Sequence, residues 1–469
     1  MNDKVEADPN VVGWESDRDP HSPRNWAKGK KALNIVVIFL MCIVSPFASS
    51  VVAPAIKDII NDFKQYDKYL ASFVVSAYVL GYAIGPLLIG PLSEIYGRVI
   101  MYHVCNLIFV LFTCLCAVSH DLGFLAAMRF LAGCGGASAF TLAPASIADM
   151  VSFEKRGGFL ALLGLGYNLG PAFAPLLGSH INNIKGWKWI FWTTALMGAF
   201  CTIASLALSE TYEPVLLHKK AAKLRKETHN NELRSKHDTG KSTLKVLWMA
   251  NIRPLKMLFC LPEVLLVSFI TAVGYGFLYI LYTDIPSDFP THFGYWTTHD
   301  IGFAYMGLAI GNVLGMILGG ALSNKLYAAR AARGDNRPEN RLFLMIFFWP
   351  LTGVGLIIYG WTNLHAKHWI LPMIGTGLFG LGSMSAILFC GIYVVDAHNL
   401  YAASATAATM IARSVLGGVI PIFTNDLLDK FNIGWAYTIL GGIALALSPI
   451  PFISYRFGEK WRARSTVTL

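Results

Sequence analysis

Charge is scarce in this sequence: Asp, Glu, Lys and Arg make up 14% of 469 residues, against 55% hydrophobic, and the mean hydropathy is +0.51. A chain so poor in charge is neither disordered nor an ordinary soluble domain. Paired cysteines are missing too. Cys42, Cys105, Cys114, Cys116, Cys134, Cys201, Cys260 and Cys390 all fall in apolar runs, with no Cys-x-x-Cys and no Cys/His spacing suited to zinc. Neither a disulfide framework nor a metal site is expected. No apolar segment with a small-residue cleavage site precedes Pro23, so no signal peptide is expected to be removed. A phosphate-binding loop is lacking as well. Gly240, Lys241 and Ser242 resemble its end, but Ser235 stands where its first glycine belongs. Without a nucleophile elbow, cofactor loop or His-rich diiron pattern, no enzyme and no cofactor is expected.

Long apolar runs, by contrast, are abundant. Hydrocarbon about 30 Å thick needs roughly 20 apolar residues per helix. Twelve stretches meet that need: 33–53, 70–93, 99–119, 122–148, 158–182, 189–209, 258–283, 301–324, 342–364, 368–395, 398–425 and 432–455. They predict an all-α membrane protein with twelve transmembrane helices. The run from Gly157 to Ile184 carries Gly170, Pro171, Pro175 and Gly178 and reads as one bent or tilted helix, since splitting it leaves pieces too short to span. Orientation follows from the 38 basic residues, because loops rich in Lys and Arg stay in the cytosol. Placing both termini inside leaves 29 of them on the cytosolic side and 7 outside. That asymmetry also accounts for the net charge of +10 without nucleic acid.

These limits divide the chain into a cytosolic tail (1–32), a six-helix bundle (33–209), a cytosolic linker (210–257), a second bundle (258–455) and a cytosolic tail (456–469). In the linker, Lys219, Lys220, Lys223, Arg225 and Lys226 lie beside Ala221, Ala222 and Leu224. Either a helix at an anionic lipid surface or a solvated loop fits that pattern. Gly90-Pro91-Leu92-Ser93-Glu94-Ile95-Tyr96 after the second span is echoed by Gly320-Ala321-Leu322-Ser323-Asn324-Lys325-Leu326-Tyr327 after the eighth. A shared Gly-x-Leu-Ser at equivalent places argues for two parallel-repeat halves.

At these residues the chain resembles the major facilitator superfamily, in particular its fungal twelve-span drug:proton antiporters. Gly90, Leu92, Glu94, Gly97 and Arg98 match the family's loop motif between spans two and three, and Arg129, Gly133, Gly135 and Gly136 its membrane-embedded arginine motif. Gly170, Pro171, Ala174, Pro175 and Gly178 look like the antiporter motif of span five, with Ala174 and Ser179 replacing glycines. Ser209-Glu210-Thr211-Tyr212 resembles the fungal exit from span six. The resemblance implies a gate at Glu94 and Arg98, four residues apart and close enough to pair, and a role for Arg129 in proton coupling. Val99 departs from the motif, which usually has a second basic residue there.

Few acids are placed to carry a proton. Glu263, one turn inside span seven, is the first choice; Asp396, Asp284 and Asp426 lie nearer span ends, and His103 near the inner end of span three. Arg413, near mid-depth of span eleven, is a second buried cation suited to joining the bundles. Tyr275, Tyr279 and Tyr282 share one helical face, and with Asn168 and Asn312 they are the candidate walls of a substrate cavity. Gly311, Gly315 and Gly319 read as a close helix contact. A proton crossing ~100 mV releases about 2.3 kcal/mol, and a gradient of about two pH units adds roughly 2.7 kcal/mol. Together they support a several-thousand-fold solute gradient.

The expected function is a plasma-membrane exporter of small hydrophobic or amphipathic organic compounds, acting as a monomer by proton antiport, with the vacuolar membrane as the alternative site. Its expected partners are solute, protons and lipid, with no nucleic acid. A proton-coupled nutrient symporter and a non-transporting sensor are the other readings.

Overall fold

The computed structural model describes residues 10–14, 16, 19–230, 232–236, 243–294, 296, 300–366, 368–398 and 401–464. Among the described residues helices dominate, and eleven of them are long and apolar enough to cross a membrane. A twelfth, Trp187–Ser205, packs among them but opens with Trp187, Lys188 and Trp189, which dilute its apolarity. Leu107, Leu111, Phe200, Ile203, Phe347 and Phe452 are exposed around the bundle, as lipid-facing side chains are.

Span 1 is Lys28–Ser50, continued past a short 3-10 turn (Ala53–Ala55) by Ile56–Phe63. The helix breaks there because Pro54 has no N–H to give the carbonyl four residues back. Span 2 (Lys68–Tyr96) starts where the Asp67 carboxylate accepts the N–H groups of Tyr69 and Leu70, at 2.9 and 3.1 Å, and stops at Gly97. Span 3 is Arg98–Ala117, and span 4 is Leu122–Gly136 with Ser138–Met150. Span 5 is the single helix Phe153–Lys185, with Pro171 and Pro175 inside it, and span 6 is Trp187–Ser205. In the second half the spans are Pro262–His292 (7), Ile301–Ala304 with Met306–Ala331 (8), Met345–His365 (9), Ile370–Ala397 (10), Ala402–Lys430 (11) and Ile433–Ala446 with Pro449–Arg464 (12). The last helix runs well beyond 455, so the segment expected to be a tail is largely helical.

Each half is built by the same pairings. Spans 1 and 5, 2 and 4, 3 and 6, and 3 and 4 pack in the first half; 7 and 11, 8 and 10, 9 and 12, and 9 and 10 pack in the second. Between halves, span 2 meets span 11 and span 5 meets span 8, which is the same contact seen from each side of a two-fold repeat.

The linker is more ordered than either sequence reading required. It contains a helix, Glu213–Thr228, a two-residue strand, Arg234–Ser235, paired in parallel with Val11–Val12, and a helix, Thr243–Cys260. Leu217 and Ala221 of the first helix are buried, and Lys220 pairs with the buried Asp19 at 3.7 Å. Its apolar side is therefore covered by protein, with Lys219, Lys223 and Lys226 exposed. Gly240, Lys241 and Ser242 lie outside the described residues. Of the eight cysteines, all free, Cys260 is exposed rather than packed.

Candidate functional site

The two ends of the bundle differ. One, here the tail face, gathers Lys28, Tyr96, Arg98, Met150, the linker, Arg341 and Arg464; the opposite face gathers Phe63, Lys68, Gly186, His292 and Lys430.

On the tail face, Gly97 adopts φ +98°, and a Cβ there would lie 2.4 Å from Oε2 of Glu210. That space lets the Glu210 carboxylate cap span 3, accepting from the backbone N–H of Arg98 at 3.0 Å and of Val99 at 3.1 Å. Oε1 also accepts from the Thr211 and Tyr212 N–H groups, at 3.0 and 2.9 Å. An anion at a helix N-terminus is favoured by the aligned peptide dipoles. Arg98 is buried; its guanidinium donates to Asp149 at 3.4 Å and to Ser93, and lies 4.6 Å from the Tyr212 ring centre. Burial, then the Glu94 charge, push the Tyr212 hydroxyl up to about 12.

The expected Glu94–Arg98 pair is thus replaced. Glu94 is exposed, whereas a buried guanidinium takes the buried acceptors within reach. Gly90 and Leu92 shape the turn: the Gly90 carbonyl accepts from Ser93, and Leu92 packs on the core. The second half repeats the latch. Arg341 donates to Asp396 at 3.0 Å, and Arg462 holds the buried Glu339 by two hydrogen bonds of 2.9 and 3.0 Å. An Arg at or just before the start of the third span facing an Asp near the end of the fourth is common to both halves.

Arg129 is 2% exposed; its hydrogen bonds go to backbone carbonyls, and its guanidinium lies 5.3 Å from the Tyr78 ring centre. Nε donates to Val74 at 2.6 Å, Nη1 to Ala48 at 3.2 Å, and Nη2 to Ser49 and Val75 at 2.8 and 3.2 Å. The Ala48 and Ser49 carbonyls sit at the C-terminal end of the first helix, next to the break before Pro54, where helical donors run out. Ser49 also meets the second half, because its Oγ lies 3.0 Å from the Tyr279 hydroxyl that donates to it.

Around this point the halves meet through aromatic rings. Tyr78, Tyr82, Phe140 and Tyr167 run across the first half with successive centroids 5.2, 4.9 and 4.4 Å apart. Tyr275, Tyr279 and Tyr282 form the second row at 5.2 and 5.4 Å. Arg413 lies between the rows, 5.6 Å from the Phe140 centroid and 5.4 Å from that of Tyr275. The first row escaped the sequence reading, although Tyr78 and Tyr82 stand one turn apart.

The asparagines separate. Asn168 reaches across the seam to the Met316 sulfur on span 8, but Asn312 is turned into its own half, where its Oδ1 would lie 2.6 Å from a Cβ on Gly380. Asn312 therefore faces span 10, not the seam. Gly311 and Gly315 press on backbone carbonyls of Gly377 and Leu381, and Gly319 on Ser385, so this stripe is the close helix contact expected. Span 5 behaves likewise: a Cβ on Gly170 would meet the Ile43 carbonyl at 2.4 Å and one on Gly178 the Val51 carbonyl at 2.1 Å, while Ala174 fits fully buried between them. Pro171 and Pro175 lie in this same stretch against span 1.

The acids were less legible. Glu263 is fully buried with neither oxygen accepting a hydrogen bond. Asp284 and Asp288, one turn apart on span 7, are also buried; Tyr437 donates to the first and Tyr359 to the second, each at 2.9 Å. Spacing of four was the available sign of that pair. His103 lies 3.0 Å from the Ser205 carbonyl.

Across the opposite face the halves are joined by Lys68 with Asp429 at 2.9 Å and by Tyr69 donating to Asp426 at 2.5 Å. Ser76 donating to the Gly418 carbonyl at 2.9 Å ties them nearer the middle. Among the described residues, the polar contacts at the tail face stay within one half. Cavities of about 520 Å³ each open on the opposite face, one beside Trp296, Asp300 and Trp369 and one beside Asp58, Lys185 and Trp187.

A family model described as Major Facilitator Superfamily matches residues 38–421. The chain belongs to the major facilitator superfamily. It is 40% identical over 457 residues to the MFS-type transporter penM of Penicillium rubens, covering 97% of this chain and 90% of that one. Identity is 38% to the MFS-type transporter atr4 of Stereocaulon alpinum, over 98% and 84% of the two chains. It is 36% to the efflux pump radE of Floropilus chiversii, over 98% and 86%. A crystal structure of a D-xylose-proton symporter superposes with a TM-score of 0.68 at 16% identity, covering 90% and 97% of the chains. The xylose transporter XylE of E. coli in a partially occluded inward-open conformation gives 0.65 at 15%, over 92% and 98%. These two likenesses concern the fold. Membership makes the protein a multi-pass membrane transporter rather than an enzyme, and the expected fold class, with its two six-helix bundles, is the one found.

Proposed function

We propose that this transporter exports small hydrophobic or amphipathic organic compounds, fungal secondary metabolites among them, in exchange for protons. The tail face lies in the cytosol, in accord with the basic residues, and the seam between halves opens alternately to either side. What carries the reading is the pair of aromatic rows at the centre, with Arg413 between them and, among the described residues, polar contacts between the halves at the opposite face and the middle but not at the tail face. Apolar ring walls with few polar anchors suit a hydrophobic solute. The relative named an efflux pump supports the direction. Tyr275, Tyr279, Tyr282 and Asn168 line the path, the paired latches of Arg98 and Arg341 gate the tail face, and Glu263 carries the proton while Arg129 fixes spans 1 and 2. One bilayer, with one chain as the working unit, is the setting.

The test is accumulation of a labelled panel of organic compounds in cells with and without the protein, with and without a protonophore. Lower accumulation on expression that disappears with the protonophore is expected. Higher accumulation on expression would replace export by uptake, and indifference to the protonophore would remove the proton.

A further inference from the structure

The tail end of span 7 holds an unusual set of side chains. Glu263 is 0% exposed and neither carboxyl oxygen accepts a hydrogen bond. The nearest ionisable partner is His398, just beyond span 10, whose Nε2 lies 3.8 Å from Oε1 and itself has no hydrogen-bond partner. The Tyr393 hydroxyl, on the same span, is also buried and unpartnered. Over this group lies the last helix, Pro449–Arg464. Its Arg462 donates from Nε and Nη2 to the fully buried Glu339, and a Cβ on its Gly458 would touch Glu339 at 3.1 Å and the Tyr393 hydroxyl at 3.3 Å. Among the described residues, the charged or titratable groups that face Glu263 are His398, Tyr393, Glu339 and Arg462.

A buried carboxyl with two idle oxygens is incompatible with a standing charge; such a group is neutral or hands its charge to a neighbour. An imidazole one side-chain rotation away is the complementary half. We propose that Glu263 and His398 share one proton, and that the last helix, fastened by Arg462 to Glu339, is the lid through which it leaves toward the tail face. The proposal rests on the proton-coupled reading above and adds the acceptor and the exit. In the transfer, the O–H bond of Glu263 breaks and an N–H bond forms at His398 Nε2, leaving a carboxylate and an imidazolium; the imidazolium then gives the proton to water once the lid lifts. Burial and the nearby Arg462 lower the pKa of His398, so an imidazolium formed there gives its proton up readily.

The probe is the proton itself. Infrared spectra of the purified full-length protein in detergent, titrated between about pH 5 and pH 9 where imidazole changes charge, should show a protonated carboxyl band that disappears in Glu263→Gln. In His398→Gln the midpoint of that band should move by at least about one pH unit, the mark of a coupled pair. A midpoint left in place overturns the shared proton. Arg462→Gln alone strands the buried Glu339, so the lid is tested in the double variant Glu339→Gln/Arg462→Gln, which removes both charges together. Deuterium exchange into the carboxyl band should quicken at least about tenfold there, as when local opening is made easier; an unchanged rate overturns the lid. None of these readings needs a substrate. Export that ignores a protonophore would sink the functional reading, while an unmoved midpoint would sink this inference alone.

Discussion

The two halves repeat one another in packing but not in charge. In the first half the deeply buried ion within the membrane is a cation, Arg129, satisfied by four backbone carbonyls. In the second the carboxyls buried within the spans are Glu263, Asp284 and Asp288, all on one helix. A guanidinium keeps its charge at any physiological pH, whereas carboxyls in a low dielectric can lose theirs. On the proton-coupled reading proposed above, the first half is a fixed clamp and the second is the half able to respond to protons. Breaking the clamp should be the more damaging of the two.

Arg129→Ala tests this most severely. It strands four buried carbonyls in spans 1 and 2 that lose a charged donor, each unsatisfied acceptor costing about 1 to 3 kcal/mol. Thermal unfolding in detergent should show a large loss of stability, with Arg129→Lys recovering only part because an ammonium cannot fork to two helices. A variant as stable as the parent would show that the carbonyl clamp contributes nothing. Next comes the close contact of span 5 with span 1. Gly178→Val drives a side chain into the Val51 carbonyl, an overpacking of typically 1 to 3 kcal/mol or more. Gly164→Ala, which meets only the flexible end of Met316 at 3.0 Å across the seam, should leave stability nearly unchanged. Equal effects at the two sites would mean that the halves are as tightly locked to each other as within themselves.

The legibility of the molecule follows the same division. The twelve spans were readable because hydrocarbon imposes a length and a composition on every helix, and the close glycine contacts because only a missing Cβ lets two backbones touch. Pairing was harder. Glu94 and Arg98 stand at helical spacing, yet the turn at Gly97 brings in Glu210 from over a hundred residues away and frees Arg98 for Asp149. Asn168 and Asn312 looked alike, being amides within apolar runs, and only rotation about the helix axis sends one to the seam and the other to Gly380. Tyr359 and Tyr437 resembled any packed aromatic until spans 9 and 12 closed on Asp288 and Asp284.

Those two aspartates sharpen the comparison from the second half. Asp284→Asn and Asp288→Asn keep an acceptor for the tyrosine hydroxyl and remove only the titratable proton. Each should leave folded yield close to the parent, since exchanging a hydrogen-bonded acid for an amide of the same shape costs about 1 kcal/mol. If the second half is the responsive one, the pH dependence of export should flatten in at least one of them. Unchanged pH profiles in both would confine titration to the tail end of span 7.

The smallest effect belongs to the seal between the halves. Lys68 and Asp429 are 63% and 58% exposed, and exposed pairs are worth about 0.2 to 1 kcal/mol. Lys68→Ala should therefore shift the balance between closed and open seams by no more than about fivefold. Salt should shrink even that, because exposed charges are screened. Tyr69→Phe, which deletes the hydroxyl donated to Asp426, should act in the same direction, and the double variant should depart from additivity, since adjacent residues face acids three apart on span 11 and Tyr69 also feels Asp429. Accessibility of a cysteine placed at Val79, a buried seam position whose apolar side chain packs against Gly417, measured by thiol labelling from the opposite face, would read the balance. A shift of a hundredfold would mean that the seal, not the carboxyls beneath it, holds the seam shut, and the contrast between a fixed and a responsive half would lose its force. A shift within the fivefold bound leaves the closing energy to the apolar contacts of spans 2 and 11, where Gly417 and Gly418 admit Tyr275, Val79 and Leu80. That is the arrangement a seam must have if it is to open without paying for a buried charge.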